Sequence, residues 1–191
     1  SNQLIVQPGT RTQGGVRRRA GELPTLTIDD VEEMNTLPSV KGATSTLQGF
    51  FQINYGSDNS NSVVLGVTQD VFRVRNWTID RGVGIAQSDI RAANKVMVIG
   101  SKIANQYFYK QDPIGQNIRV EGKPFTVIGV LAGEGRQLDG SDLGEMLLVP
   151  ISTIPVRMPL PRTIHYAIVQ AKDAKSMSEA ENDIKELLRD R

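Results

Sequence analysis

The residues that could carry out chemistry in this sequence are few and dispersed. The chain has no cysteine, which excludes cysteine nucleophiles, disulfides, iron–sulfur clusters and cysteine-ligated zinc. His165 is the single histidine, so a multi-histidine metal site is excluded and a Ser-His-Asp triad has only one available base. Because no Gly-x-Ser-x-Gly elbow accompanies it, we interpret His165 as a structural or surface residue.

Glycine and acidic residues cluster in three short stretches, none of which completes a binding motif. Gly82-Val83-Gly84 and Gly133-Glu134-Gly135 lack the third glycine and the helix of a dinucleotide fingerprint, and they predict turns. Asp139-Gly140-Ser141-Asp142 places oxygen ligands around a glycine, as calcium loops do, but lacks the further carboxylates of such a loop, so a solvated loop is favoured. No phosphate-binding Gly-x-x-x-x-Gly-Lys-[Ser/Thr] loop occurs.

The remaining charged and aromatic groups have structural explanations. The acidic residues between Asp29 and Glu33 flank a predicted helix start, where negative charge favours the helix dipole. Arg17-Arg18-Arg19 could contact phosphate or lipid headgroups, but a solvated loop is favoured. Phe50 and Phe51 lie in a predicted strand and therefore point to opposite faces.

Composition limits the class of protein further. The 191 residues carry a net charge of +1, which argues against a whole-chain affinity for nucleic acid or anionic membranes. With 39% hydrophobic and 23% charged residues, the chain can bury a core, and its apolar runs are too short to cross a bilayer. We expect Ser1-Asn2 to be a tag-cleavage scar and the C-terminal helix to end at an artificial boundary.

Periodicity predicts strands and helices along the chain. Strands are predicted over residues 4–7, 40–55, 62–68, 95–100, 117–121, 124–132, 146–150 and 165–170. Helices are predicted between Thr27 and Pro38, over 101–109, and from a capping box at Ser176 and Glu179 onward. Residues 10–21 and 133–144 are predicted to be flexible loops, 56–61 a polar turn, and the prolines at 155, 159 and 161 a linker.

The two ends of the chain share one pattern. Strand, loop and capped helix occur in that order at both ends, and Ile5-Val6-Gln7 matches Ile168-Val169-Gln170. We therefore predict an α+β fold of two subdomains, in which an α/β subdomain built from both chain ends carries an inserted β-rich subdomain.

Several motifs follow one another in a recognisable order. They are Gly66-Val67-Thr68-Gln69-Asp70-Val71-Phe72, Lys95-Val96-Met97-Val98-Ile99-Gly100-Ser101, Asp112-Pro113-Ile114-Gly115-Gln116, Phe125-Thr126-Val127-Ile128-Gly129-Val130 and Leu148-Val149-Pro150. In this order, over nearly the whole chain, the sequence resembles the periplasmic domain of MacB-type ABC transporters. It departs from the family at Arg81-Gly82-Val83-Gly84, where relatives commonly continue with arginine and an aromatic residue.

The resemblance implies a fold, a location and a function. It implies a porter-like subdomain over residues 1–65 and 151–191 and a sabre-like subdomain over 66–150. The domain would lie in the periplasm, in a dimeric inner-membrane transporter that works with a periplasmic adaptor and an outer-membrane channel. It would couple ATP hydrolysis to export without catalytic, cofactor or metal residues of its own, since ATP and magnesium would bind a nucleotide-binding domain outside this chain. We place partner contacts at Leu138, Asp139, Asp142 and Leu143.

Three alternatives remain open at this point. One is a hydrolase, which would need an unrecognised pair of carboxylates and would be found by broad activity screening of the purified domain. A lipoprotein-releasing or antimicrobial-peptide-responsive ABC permease has a similar extracytoplasmic domain, and its neighbouring genes or domains would distinguish it. A free-standing solute-binding domain would instead show a deep apolar pocket with a few convergent polar groups.

Overall fold

The computed structural model describes residues 2–7, 26–154 and 163–190. The predicted loop over 10–21, the Arg17–Arg19 run and the three linker prolines lie outside these residues. The helices and strands are, in chain order, β1 (Gln3–Val6), α1 (Ile28–Met34), β2 (Val40–Tyr55), β3 (Asp58–Val67), α2 (Val71–Val74), β4 (Ile79–Gly82), α3 (Gln87–Ala92), β5 (Val96–Ile99), α4 (Ser101–Phe108), β6 (Asn117–Val120), β7 (Lys123–Leu131), β8 (Leu147–Pro150), β9 (Thr163–Ala171) and α5 (Met177–Arg189). The predicted α+β class is confirmed.

One compact unit combines both ends of the chain. It takes the described residues within 1–46 and 165–191 together with 73–75. Its strands β1 and β9 pair antiparallel with Ile5 opposite Ile168, so the two similar sequence strings are strand partners. Helix α5 buries Ala180, Ile184 and Leu188, whose four-residue spacing places them on one helix face. These side chains share a core with α1 and β9.

The predicted start of α1 is confirmed, and that of α5 is wrong in detail. Thr27 Oγ1 accepts from the Asp30 amide at 3.1 Å, and Asp30 Oδ2 accepts from the Thr27 amide at 2.8 Å, which completes a capping box. Ser176 makes no such bond, and its hydroxyl instead donates to Asp173 Oδ1 at 2.8 Å. A single 3-10 turn, Ala174–Ser176, therefore precedes α5, because Asp173 is the better cap acceptor.

The other compact unit is built mainly from strands. It comprises residues 47–72 and the described residues within 76–164. Two strand pairs are parallel: β3 pairs with β8, and β5 pairs with β7. The other pairs are antiparallel: β8 pairs with β5, and β7 pairs with both β4 and β6. One apolar cluster of this unit contains the buried residues of α4, and a second contains Leu65, Trp77 and Leu148.

The prediction of a long polar turn between β2 and β3 is wrong. Strand β2 ends at Tyr55 and β3 begins at Asp58, so only Gly56 and Ser57 form the turn. Gly56 has φ +57°, a value that glycine adopts readily in two-residue hairpin turns. Residues 58–61 are exposed, so this part of β3 shows no apolar alternation in the sequence.

Three short elements between residues 69 and 94 were not predicted. Strand β4 and helix α3 have no fully buried side chain, and α2 is four residues long, so none of them produces an apolar period. The chain passes between the two compact units at residues 46–47, 72–73, 75–76 and 164–165. Whether these units correspond to the porter-like and sabre-like subdomains stays a prediction.

Candidate functional site

The predicted contact residues all lie in the connection between β7 and β8, which we name the 133–145 loop. We predicted a flexible loop, but the structure closes it on itself with hydrogen bonds. The Gln137 amide donates to the Ser141 carbonyl at 2.7 Å, the Leu143 amide donates to the Gly135 carbonyl at 2.8 Å, and Arg136 forms a β-bridge with Asp142. The loop therefore has a defined conformation with its tip at residues 138–140.

Asp142 is the main acceptor inside the loop. Its Oδ1 accepts from the amides of Gly135 at 3.1 Å and Gly144 at 2.9 Å. Its Oδ2 accepts from Lys102 Nζ at 2.6 Å. The bond from Lys102 and the two amides favour the ionised carboxylate and lower its pKa to about 2.

Lys102 brings the start of α4 to the loop. Its Nζ also lies 3.7 Å from Glu134 Oε2, and the hydrogen bond to Asp142 raises the pKa of this lysine. The preceding residue, Ser101, donates its hydroxyl to the Gly133 carbonyl at 3.1 Å. The first two residues of α4 thus bind both ends of the loop.

A separate hydrogen bond ties the middle of the loop to the apolar core. The buried Trp77 donates its indole N–H to Gln137 Oε1 at 3.0 Å. Leu143 packs against the same apolar cluster that contains Trp77. The loop is therefore held by apolar contacts with the cluster around Trp77, by the hydrogen bond from Trp77, and by the bonds from Ser101 and Lys102 of α4.

The four predicted contact residues have different environments. Leu138 is 42% exposed and is the one apolar side chain at the loop tip. Asp139 accepts hydrogen bonds from the amide and hydroxyl of Ser141, while Asp142 and Leu143 face the loop and the core. Leu138 is the residue of this set that a partner could reach most directly, and partner contact by any of them stays a prediction.

The sequence analysis did not identify three residues that hold the loop, namely Lys102, Gln137 and Trp77. One signal for Lys102 exists, because a cation in the first turn of a helix opposes the helix dipole and indicates an acidic partner. Such a partner exists here, but the 40 residues between Lys102 and Asp142 hide it from local patterns.

The remaining candidates have structural roles. His165 Nδ1 lies 2.9 Å from the Leu26 carbonyl oxygen, and burial lowers the pKa of the ring. Phe51 is buried and Phe50 is 53% exposed, which confirms that they lie on opposite faces. Gly82 ends strand β4, whereas a turn was predicted there. Within residues 2–7, 26–154 and 163–190, no three acidic or histidine side chains converge as metal ligands.

An apolar pocket bears on the solute-binding alternative. Phe51, Val64, Phe125 and Ile154 line it with neighbouring residues, and its volume is about 50 Å³. Pockets that hold drug-sized ligands measure roughly 300–1,000 Å³. This pocket is too small for such a ligand.

Comparison with known proteins decides the family. The family model described as the MacB-like periplasmic core domain matches residues 1–187. The chain belongs to this family. As a MacB-like periplasmic core domain, it is 32% identical over 160 residues to the macrolide export ATP-binding/permease protein MacB of Syntrophobacter fumaroxidans, a match that covers 83% of this chain and 22% of that protein.

A second relative of this MacB-like domain is the pyoverdine export ATP-binding/permease protein PvdT of Pseudomonas aeruginosa, 34% identical over 163 residues, which are 85% of this chain and 25% of that protein. The chain thus spans a quarter or less of the length of these two curated relatives.

Solved structures share the fold. The periplasmic region of MacB from Actinobacillus actinomycetemcomitans matches with a TM-score of 0.77 and 21% identity, over 100% of this chain and 84% of that one. The extracellular domain of the noncanonic ABC-type transporter YknZ from Gram-positive bacteria matches with a TM-score of 0.75 and 17% identity, over 99% of this chain and 94% of that one. In the parts of the MacB-like domain that the structure describes, no helix has the length and apolar character to cross a membrane.

Proposed function

We propose that this chain is the extracytoplasmic domain of an ABC exporter and couples ATP-driven movement to export without catalysing a reaction itself. The match of residues 1–187 to the MacB-like periplasmic core domain carries this proposal. The fold shared with a MacB periplasmic region supports it. Both curated relatives named above are called export ATP-binding/permease proteins.

The proposal assigns ATP and magnesium to a nucleotide-binding domain outside this chain. The transporter would be a homodimer in the inner membrane, with this domain in the periplasm between a periplasmic adaptor and an outer-membrane channel. The chain matches 22% of the Syntrophobacter relative, which leaves most of an ATP-binding/permease protein to supply those parts.

We assign the adaptor contact to the 133–145 loop. Leu138 offers an exposed apolar side chain on a loop whose conformation is fixed by hydrogen bonds, and a fixed loop loses little entropy when a partner binds. The acidic groups Asp139 and Asp142 are occupied by donors of their own unit. The tip therefore fits an apolar recess on the partner.

Deletion of residues 138–144 from the full-length transporter tests this contact. We expect loss of adaptor binding in a pull-down and loss of export of a macrolide or pyoverdine. Leu138→Ala should weaken both, while Phe50→Ala, which removes another exposed apolar side chain of the same unit, should change neither. Normal adaptor binding and export by the deletion variant would contradict the assignment.

Substrate assays separate the exporter from the related permeases. Export of a macrolide or pyoverdine supports the proposed class, whereas release of a lipoprotein or a response to an antimicrobial peptide, without export of either compound, would place the transporter with the alternative permeases.

A further inference from the structure

We propose that Lys102 is the positioning residue that holds the 133–145 loop in the conformation that presents Leu138. The presenting role rests on the function proposed above, whereas the holding role rests on the geometry of this unit alone. Lys102 reaches the loop from α4, an element separated from it by strands β6 and β7.

The contacts of Lys102 span the loop. Its Nζ donates to Asp142 Oδ2 at 2.6 Å near the end of the loop and lies 3.7 Å from Glu134 Oε2 near the start. Asp142 in turn accepts from the amides of Gly135 and Gly144. One ammonium group therefore links the two sides of the loop through the carboxylate that orders both amides.

The aliphatic part of Lys102 is also in contact with the loop. A Cβ placed on Gly144 would lie 2.9 Å from the Cγ of Lys102, so the lysine stem lies directly against the glycine backbone. A neutral side chain of similar length can keep this packing while it loses the ion pair. Lys102→Met is therefore a selective change, and Lys102→Arg restores the charge.

Trp77 supplies a reporter that needs no label. It is the single tryptophan of the chain, and its indole N–H donates to Gln137 in the loop. If the loop loosens, water replaces Gln137 at this N–H and the emission maximum moves to longer wavelength. The backbone amides of Gly135 and Gly144 report on the same event by hydrogen exchange.

The experiment compares Lys102→Met, Lys102→Arg and the matched control Lys95→Met, an exposed lysine in the same unit without an ion pair among the described residues. In Lys102→Met we expect the Gly135 and Gly144 amides to exchange about two- to five-fold faster, as the loss of one exposed ion pair implies. The Trp77 emission should shift red, and the melting temperature should fall by no more than about 4 °C. Lys102→Arg and Lys95→Met should match the wild type.

Wild-type exchange at both glycines in Lys102→Met would overturn the positioning role, whatever the transporter does. Failure of Lys102→Arg to restore slow exchange would overturn it as well. Export by the full-length transporter tests the presenting role, that is, whether the held loop offers Leu138 to a partner. Amide exchange in Lys102→Met could become faster while export stays normal in both Lys102→Met and Leu138→Ala. This result would refute the partner contact proposed above and leave the holding role intact.

Discussion

Lys102 Nζ donates to Asp142 Oδ2 at 2.6 Å and so joins the first turn of α4 to the loop before β8. The same carboxylate accepts two loop amides. This carboxylate with three donors is one of several contacts that hold the loop to which we assign partner contact, and its ionisation provides the first test.

The loop should keep its conformation in moderately acidic solution. The pKa of Asp142 is lowered from 3.8 to about 2, so the stability that its ionised form contributes is fully present above about pH 4 and is lost as the pH falls through about 2. Trp77 emission should be constant from pH 7 to pH 4 and shift red between pH 3 and pH 2, while far-ultraviolet circular dichroism monitors global unfolding. Asp142→Asn should show the shifted emission already at pH 7; unshifted emission in this variant would contradict the account.

A side chain at Gly82 would collide with the neighbouring backbone. Gly82 lies opposite Gly129 in the β4–β7 pairing with φ +76°, and an added Cβ would be 2.1 Å from the Ile128 carbonyl oxygen. Gly56→Ala is a matched control, because Gly56 also has a positive φ but has open space around it. We expect Gly56→Ala to cost about 1–2 kcal/mol in urea unfolding, and Gly82→Ala about 1–3 kcal/mol more. Equal costs would contradict the close approach.

The two helix starts should respond differently to alanine. Thr27→Ala removes a capping-box acceptor and should lower the free energy of unfolding by about 1 kcal/mol. Ser176→Ala removes a hydroxyl that makes no cap bond to α5 and should cost less than about 0.5 kcal/mol. Chemical denaturation of both variants measures the difference. A larger loss of unfolding free energy in Ser176→Ala would contradict this assignment and support the capping box predicted from the sequence.

His165 should make the domain less stable in mild acid. Burial lowers the pKa of the folded ring below 6.5, so the unfolded chain binds the proton more readily. Stability is then fully present above about pH 6.5 and falls as the pH drops below this value until the folded pKa is passed. Asn in place of His165 retains a donor for the Leu26 carbonyl and does not titrate. Urea unfolding at pH 7.5 and pH 5 should show a smaller pH difference in His165→Asn; an unchanged difference would assign the effect to other groups.

Residues with local patterns were predictable from the sequence. The capping box at Thr27, the buried face of α5 and the hairpin of β6 and β7 all depend on neighbours a few positions apart. The candidate loop was located for its acidic and glycine content, but its order was missed. That order depends on Lys102 and Trp77, which lie 40 and 60 residues from their partners. A local sequence pattern cannot predict contacts between residues so far apart in the chain.

The proposed coupling role of the domain is tested most directly by measuring ATP hydrolysis and export side by side in the full-length transporter and in a variant that lacks this domain. The account predicts that the variant still hydrolyses ATP but no longer exports the substrate that the full-length transporter exports, and that the isolated domain hydrolyses no ATP. Export at the wild-type rate without this domain would contradict it.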